Sequence, residues 1–243
     1  MPSEPTRTDG SAGGEAAQPE VLAAIDGGVL TLTLNRPEAL NAITPTMLAT
    51  LGDLLLEASE DDSVRVVVLT GSGRAFSAGV DLLALGGREL TNGIVGDILD
   101  VPARRVTGLL STMPKPTVAR VNGHCFTGAL ELVLSCDLAI VVAEAKLGDT
   151  HAKFGLRPTW GLSQRLPRLI GIAAARELSY TARVFSGAEA AEMPVTSTMR
   201  TAAGVSAATA VPSKSMSSTM TTEMATSEGF EKSATGESST FVS

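Results

Sequence analysis

Hydrophobic and polar positions follow two different periods in the first ordered part of the chain. Residues 29–34 (VLTLTL) alternate apolar residues with threonine, and this period of two predicts a β-strand. After a break at residues 35–37 (NRP), apolar residues recur at helical spacing over residues 47–58. Thr44 and Pro45 come just before that pattern, as an N-cap and a first-turn proline do. A strand followed by an amphipathic helix is therefore expected here.

The same alternation of strand, glycine-containing turn and helix recurs along the chain. Residues 64–70 (VRVVVLT) form a nearly continuous β-branched run, which is typical of a buried parallel strand. The other predicted elements are strands at 117–121 and 137–143, helices at 98–113 and 128–135, and a helical region over 161–193 with a capping box at Ser186 and Glu189. This recurrence predicts an α/β fold of repeated βα or ββα units.

The two ends of the chain differ in composition from its centre. Residues 1–19 are rich in Gly, Ala, Pro and Ser, which predicts a disordered leader before an ordered core over residues 20–193. Residues 194–243 contain 21 Ser or Thr among 50 residues, and no Leu, Ile, Asp or Asn. Because no helical or strand period is visible there, we expect a low-complexity tail, with disorder as the simplest interpretation.

Composition and charge exclude several functional classes. A net charge of −7 argues against a nucleic-acid binder, which would carry a basic stripe. Cys125 and Cys136 lie in apolar stretches and are expected to be reduced core thiols, and two cysteines with two histidines predict no metal site unless carboxylates join them. Neither a signal-peptide pattern nor an apolar run of about 18 residues is visible, so we expect a cytoplasmic protein with no membrane partner.

Two glycine-bearing turns carry the first candidate chemistry. Gly79 follows the strand predicted at 64–70, and a glycine in such a turn can leave neighbouring N–H groups pointing outward. Gly128 lies at the predicted start of a helix, where free N–H groups and the helix dipole favour developing negative charge. Ordinary βα turns look similar, so position alone leaves both a structural and a functional interpretation open.

Glu131 and His151 are the candidate proton-transfer groups. Glu131 lies one turn after Gly128 among apolar neighbours, either as an N3 capping residue or as a general acid/base in an apolar setting. His151 is one of only two histidines and falls in a polar loop between a strand and a helix. It is either a solvated side chain or a group that exchanges protons near neutral pH.

Taken together, these segments resemble the enoyl-CoA hydratase/isomerase (crotonase) superfamily from about residue 21 to about residue 193. The matching pieces are NRPEALNA at 35–42, SAGVDL at 77–82, NG at 122–123, Gly128, Glu131, SCD at 135–137, Gly148, Gly155, Pro158, Gly161 and QRL at 164–166. Each piece is weak alone, but their shared order and spacing make the set specific. The resemblance implies a crotonase-like spiral of repeated ββα units.

The activity implied by the resemblance is hydration of a 2-enoyl-CoA thioester, a lyase reaction of fatty acid metabolism. The expected partner is the acyl-CoA substrate, and no cofactor is expected because coenzyme A is part of that substrate. Double-bond isomerisation or another crotonase-type reaction is the alternative, and a catalytically weak acyl-CoA-binding protein is a further one. Acyl chain length has no sharp signature, although the pocket should involve residues 86–101.

The resemblance also assigns binding roles to main-chain groups. In the matching positions, the N–H groups of Val80 and Gly128 would polarise the thioester carbonyl and stabilise an enolate. Backbone groups around four further residues would line the path of the CoA moiety: Ala39, Ala78, Asp81 and Leu82.

One catalytic position departs from the family pattern. Hydratases of this family hold the added water with two glutamates, and Glu131 matches the first of them. The second position, three residues after Gly148, is occupied by His151. A glutamate and a histidine attract each other where two carboxylates repel, so Glu131 and His151 are expected to form an acid/base pair. Isomerisation, which needs mainly one base and the oxyanion hole, stays open beside hydration.

The tail is the second departure. Family members continue beyond the core as helices that cover the site and build a trimer. Residues from 194 onward lack that pattern, so we hypothesise that the C-terminal helical part is truncated or divergent, for example through a shifted reading frame. A homotrimer or a dimer of trimers is expected only if those helices are intact.

Overall fold

The computed structural model describes residues 18–83, 92–193 and 208–211, the last of these through their backbone alone. Most of the predicted disordered leader, part of the predicted acyl pocket at residues 86–91, and most of the predicted tail lie outside the described residues. The described residues form two sheets and the helices that pack against them.

The larger sheet has six strands in the described residues. In spatial order they are β1 (Val21–Asp26), β2 (Val29–Leu34), β3 (Val66–Gly71), β5 (Thr117–Val121), β7 (Leu138–Val142) and β10 (Ala208–Val211). β1 and β2 form an antiparallel hairpin, and the other neighbours are parallel. The hairpin turns at Gly27 and Gly28, which adopt positive φ angles of 55° and 84°. The strands predicted at 29–34, 64–70, 117–121 and 137–143 are confirmed within a few residues.

Two long helices cover one face of this sheet. They are α1 (Pro45–Glu60) and α2 (Asp97–Thr112). The predicted N-cap is confirmed, because Thr44 Oγ1 accepts a hydrogen bond of 2.9 Å from the N–H of Met47. The apolar stripe of α1 joins the inward side chains of β2 and β3 in one hydrophobic core, which also takes in α2. Burial of these side chains supplies most of the stabilisation of the fold.

A smaller sheet holds the ends of the segments that matter for function. Its strands, in spatial order, are β4 (Ala75–Ser77), β6 (His124–Phe126), β8 (Lys146–Gly148) and β9 (Phe185–Ser186). The first three are parallel, and β9 runs antiparallel to β8. The sequence pattern did not predict these strands, because two or three residues are too few to show a period of two.

The remaining helices are short. They are α3 (Gly128–Val133), α4 (Leu162–Ile170), α5 (Ile172–Thr181) and α6 (Gly187–Glu192). α4 and α5 are separated by Gly171, whose φ of 83° does not continue a helix. The capping box predicted before α6 is only half formed: Ser186 Oγ accepts from the N–H of Glu189, whereas Glu189 Oε1 pairs with Arg183.

Of the predicted C-terminal tail at residues 194–243, the structure describes only residues 208–211. β10 lies parallel to β7 at the edge of the larger sheet, with Ala208 opposite Ala139 and Val211 opposite Val142. Residues 194–207 and 212–243 lie outside the described residues, so the low-complexity tail and its origin stay predictions. The α/β architecture with alternating strands and helices is confirmed.

Three further observations concern membrane-spanning helices, metal-binding groups and the two cysteines. In the part of the chain that the structure describes, no helix is both long and apolar enough to cross a membrane. The same residues contain no group of three His, Cys, Asp or Glu side chains arranged to hold a metal ion. Cys125 and Cys136 are free and buried, and burial raises the pKa of both thiols, that of Cys136 to about 12.

Candidate active site

The two glycine turns lie side by side because β4 and β6 are parallel neighbours. Ala75 pairs with His124 and Ser77 with Cys125, so the chain leaves both strands at the same edge of the smaller sheet. A Cβ atom on Gly79 would collide with the Thr127 side chain, which shows how closely the turns approach. Glycine at position 79 is therefore required both by this contact and by its φ of 95°.

Val80 presents an N–H group that has no acceptor in the part of the chain that the structure describes. Its segment makes a parallel bridge to Ile43, whose N–H donates to the Gly79 carbonyl at 2.8 Å and whose carbonyl accepts from Asp81 N–H at 2.9 Å. Because Ile43 bonds to the residues on either side of Val80, the N–H of Val80 itself points away from Ile43. Within the described residues, the Val80 N–H forms no hydrogen bond.

Gly128 is the first residue of α3, and its N–H likewise finds no acceptor among the described residues. The preceding Thr127 has φ 49° and ψ −119°, a conformation that a β-branched residue rarely adopts. A Cβ atom on Gly128 would lie 2.5 Å from Cζ3 of the Trp160 ring. The local backbone is therefore held in an unfavourable conformation by close packing, as is common at functional sites.

Glu131 lies on α3 with its side chain almost fully buried, at 1% exposure. Its Oε1 atom accepts hydrogen bonds from the N–H groups of Trp160 at 2.9 Å and Leu162 at 3.0 Å, in the turn before α4. The N3 capping interpretation is therefore wrong, because these partners come from another element. One oxygen is fixed by two donors, and Oε2 is left to face His151.

His151 is buried beside Glu131 and is not a solvated loop side chain. It begins a 3₁₀-helix over His151–Phe154, and its Nε2 atom lies 3.5 Å from Oε2 of Glu131. Its Nδ1 atom lies 2.6 Å from Oδ1 of Asp149. Burial alone would lower the pKa of His151, but the contacts with the two carboxylates outweigh it and raise the pKa to about 9.

Asp149 completes a buried group of three ionisable side chains. Burial opposes ionisation of this carboxyl, yet hydrogen bonds from His151 and Ser179 hold its pKa below the usual range. Asp149 was not predicted as a functional residue, although it lies in the segment that contains His151. An acidic residue two positions before a candidate catalytic histidine was the available signal.

A further missed residue is Asp100 on α2. Its buried carboxylate accepts hydrogen bonds from the Trp160 ring at 2.9 Å and from the Thr159 hydroxyl at 2.7 Å. These bonds hold the turn that supplies Glu131 with its two N–H donors. No local sequence signal predicts this contact, because Asp100 and Trp160 are 60 residues apart.

Two of the predicted CoA-contact residues lie where the segment before α1 meets the one after β4. Ala39 ends a short 3₁₀-helix over Pro37–Ala39, and Ala78 follows β4. The Ala78 N–H donates to the Leu40 carbonyl at 2.9 Å, so the fold itself uses this N–H group.

Asp81 and Leu82, the other two, continue from Val80. The Asp81 N–H is used by the Ile43 carbonyl, and the Asp81 carboxylate accepts from Arg36 at 2.9 Å. The Leu82 side chain is partly exposed. The four positions therefore share one surface region next to Val80, and their role in CoA binding stays a prediction.

Comparison with known proteins adds an independent finding. The family model described as enoyl-CoA hydratase/isomerase matches residues 24–235. The chain is 41% identical over 155 residues to the probable enoyl-CoA hydratase 1, peroxisomal, of Arabidopsis thaliana, covering 64% of this chain and 56% of that protein. It is 37% identical over 166 residues to the crotonyl-CoA hydratase of Syntrophomonas wolfei, covering 65% and 60%.

The fold matches as well. The crystal structure of an enoyl-CoA hydratase from Bacillus anthracis has a TM-score of 0.66 and 34% identity, covering 72% of this chain and 67% of that one. The fold class expected from the resemblance is therefore confirmed. The matched part spans less than two thirds of the length of the two curated relatives.

Proposed function

The chain belongs to the enoyl-CoA hydratase/isomerase family, and from this premise we propose that it adds water to a 2-enoyl-CoA thioester. The observation that carries the proposal is the position of Glu131 and His151. They lie within 3.5 Å of each other in a buried site, and Glu131 is one turn from the free N–H of Gly128. The crotonyl-CoA hydratase relative supports a short enoyl-CoA as the first substrate to test.

The proposed electrophilic part of the site is made of main-chain groups. The thioester oxygen accepts hydrogen bonds from the N–H groups of Val80 and Gly128, which lack other acceptors in the described residues. When water adds at Cβ, negative charge develops on this oxygen as the enolate forms. Each such donor is worth about 2.7–4 kcal/mol in the transition state. The approach of the two turns through Gly79 and Thr127 supports this assignment.

The proposed proton-transfer part is made of side chains. Glu131 is the acid/base that faces the water, and His151 is its partner. The two backbone donors on Oε1 hold the Glu131 side chain in one orientation, so that Oε2 remains for proton transfer. Fixing this geometry before the substrate binds lowers the entropy cost of the reaction.

Isomerisation of an enoyl-CoA double bond is the second candidate, and one observation favours it. His151 stands where the family's hydratases carry a second glutamate, and its contacts raise its pKa to about 9. Glu131 alone is enough as the base for a proton shift between Cα and the γ carbon. A catalytically weak acyl-CoA-binding protein is the remaining alternative.

The test is a substrate panel on the full chain. Crotonyl-CoA hydration is followed as loss of the enoyl chromophore, a 3-enoyl-CoA is followed for its conversion to the 2-enoyl isomer, and acyl-CoA binding is measured by calorimetry. We expect hydration of crotonyl-CoA to be the fastest reaction. Conversion of the 3-enoyl-CoA without hydration would replace the proposal by isomerisation, and binding without turnover would reject an enzymatic role.

The remaining functional predictions depend on the same proposal. The reaction needs no cofactor, because coenzyme A enters with the substrate. A homotrimer remains conditional on the C-terminal helices, and a cytoplasmic location remains a prediction, since relatives are named as peroxisomal and mitochondrial. Fatty acid metabolism is the process in which such an activity would operate.

A further inference from the structure

The buried carboxylate of Asp149 has no part in the proposed chemistry, yet it holds the His151 ring closely. Asp149 directly follows β8, and His151 begins the next 3₁₀-helix two residues later. Its Oδ1 atom lies 2.6 Å from Nδ1 of the ring and also accepts from the backbone N–H of His151 at 3.4 Å. The aspartate therefore fixes both the main chain and the ring of the residue that departs from the family pattern.

We infer that Asp149 is a positioning residue that keeps His151 as an imidazolium, with Nδ1–H on Asp149 and Nε2–H directed at Glu131. Its catalytic consequence rests on the proposed function: His151 becomes the proton donor of the site and Glu131 the base.

The arrangement of charges supports this assignment. The charged groups that act on His151 are Glu131 from α3 and Asp149 from the segment after β8, while α5 contributes the Ser179 hydroxyl to Asp149. A neutral imidazole would leave two carboxylates in one buried site with no positive charge between them. An imidazolium offsets one of these charges and directs one N–H group at each carboxylate, which is the favourable arrangement in a site of low polarity.

Occupation of Nδ1 also determines what Nε2 can do. A ring nitrogen that is hydrogen-bonded to a carboxylate carries a proton. The Asp149 carboxylate on Nδ1 therefore orients the ring and influences the role of Nε2. In this site Nε2 is the atom 3.5 Å from Oε2 of Glu131. Because Nε2 also faces a carboxylate, it carries the second proton of the imidazolium and presents an N–H donor where a second glutamate would present an oxygen.

With these roles, the number of protons gained and lost by each group balances over one hydration cycle. Water loses a proton to the Glu131 carboxylate while its oxygen forms the bond to Cβ, and the electron pair of the double bond moves to the enolate. The Nε2–H of His151 then protonates Cα, which leaves a neutral imidazole. Protonated Glu131 returns its proton to Nε2, and the product has gained one molecule of water.

The state of His151 can be measured without substrate, because the chain contains only His124 and His151. Nitrogen-15 NMR of the imidazole rings reports protonation of each ring nitrogen. The His124 ring is the internal control, because its Nδ1 has no partner in the described residues. At pH 7.5 we expect both His151 nitrogens to be protonated in the full-length protein, with assignment made in His124→Asn.

Asp149→Asn is the decisive variant, since it keeps the shape and removes the charge. We expect His151 to be neutral at pH 7.5 in this variant, while Asp149→Glu restores the imidazolium. Asp62→Asn, which removes an exposed carboxylate in the turn between α1 and β3, should leave the His151 signals unchanged. A neutral His151 ring in the unsubstituted protein, or an imidazolium that survives in Asp149→Asn, would overturn the inference.

A kinetic readout separates this inference from the proposed function. For whichever acyl-CoA reaction the protein catalyses, we expect Asp149→Asn to lower kcat at pH 7.5 by about 10- to 100-fold and to shift the alkaline limb of the pH profile to lower pH. KM should change little, because Asp149 does not touch the substrate. If no substrate is turned over, the proposed function fails, while the NMR result still decides the state of His151. An unshifted alkaline limb would reduce Asp149 to a purely structural role.

Discussion

The candidate site has two halves, one made of main-chain N–H groups and the other of side chains. The turns at Gly79–Val80 and Thr127–Gly128 present main-chain N–H groups, which every residue except proline carries. The group of Glu131, His151 and Asp149 depends on the identity of each side chain. The main-chain half therefore depends on the glycines that shape its turns, while the chemistry of the side-chain half would change with a single substitution at Glu131, His151 or Asp149.

The sharpest test of the main-chain half is Val80→Pro, which removes the N–H and leaves the bridge to Ile43, because that bridge uses Gly79 and Asp81. We expect kcat for the acyl-CoA reaction to fall by about 100- to 1,000-fold. Val80→Ala keeps the N–H and should lose tenfold at most. Equal losses in the two variants, at an unchanged Tm, would remove Val80 from the oxyanion hole.

The side-chain half should reveal itself in the pH dependence of stability. The pKa of His151 is raised from 6.5 to about 9 in the folded protein, so its stabilising contribution is complete below pH 6.5 and is lost as the pH rises through 9. The loss is on the order of 3 kcal/mol. Urea unfolding at pH 6 and pH 9.5 measures it, and His151→Gln should lack this part of the pH dependence. Identical pH profiles for the two proteins would contradict the buried ion-pair arrangement.

Gly128→Ala tests how tightly the two halves are joined. The added methyl would overlap the ring of Trp160, and the main-chain N–H of the same residue donates to Glu131. We therefore expect a loss of about 1–3 kcal/mol in the free energy of unfolding. Since Trp160 is the only tryptophan, its fluorescence emission should shift as well. Gly108→Ala on α2, where a Cβ meets no atom within 4 Å, is the matched control and should be neutral or stabilising.

The smallest effect is expected from Asp100→Asn. An asparagine oxygen can still accept from the Trp160 ring and the Thr159 hydroxyl, so only the charge-assisted part of these bonds is lost. We expect a loss of about 1 kcal/mol in stability and a small change in tryptophan emission. Asp53→Asn, which breaks an exposed pair with Arg105, is the control. A larger effect in the control would show that the Asp100 contacts contribute little.

The sequence predicted the larger sheet better than the smaller one for a physical reason. Strands such as β2 and β3 are six residues long and carry alternating or continuous β-branched patterns. The strands of the smaller sheet are two or three residues long, and their pairing is decided by contacts between distant segments. The two glycine turns could be predicted because glycine marks their position in the sequence. That the two turns lie side by side could not be predicted.

For the site, the sequence indicated which side chains matter but not how they are held. Glu131 and His151 were predicted as partners, and the structure brings them within 3.5 Å. The interpretations of Glu131 as a cap and of His151 as a solvated residue failed because both ignored the burial of these side chains in the folded protein. Asp100 became visible only through a contact with Trp160, 60 residues away, which no local pattern encodes. Asp149 lies two residues before His151, and that spacing was a local signal which could have predicted it.

If Glu131 performs proton transfer on an acyl-CoA held at the two turns, Glu131→Gln should bind the acyl-CoA without turning it over. Glutamine keeps an oxygen that accepts from the Trp160 and Leu162 N–H groups, so the fold and acyl-CoA binding should persist. With saturating crotonyl-CoA, we expect a loss of kcat of about 1,000-fold with little change in the dissociation constant of the acyl-CoA. Retention of kcat within tenfold of the unsubstituted protein would contradict it.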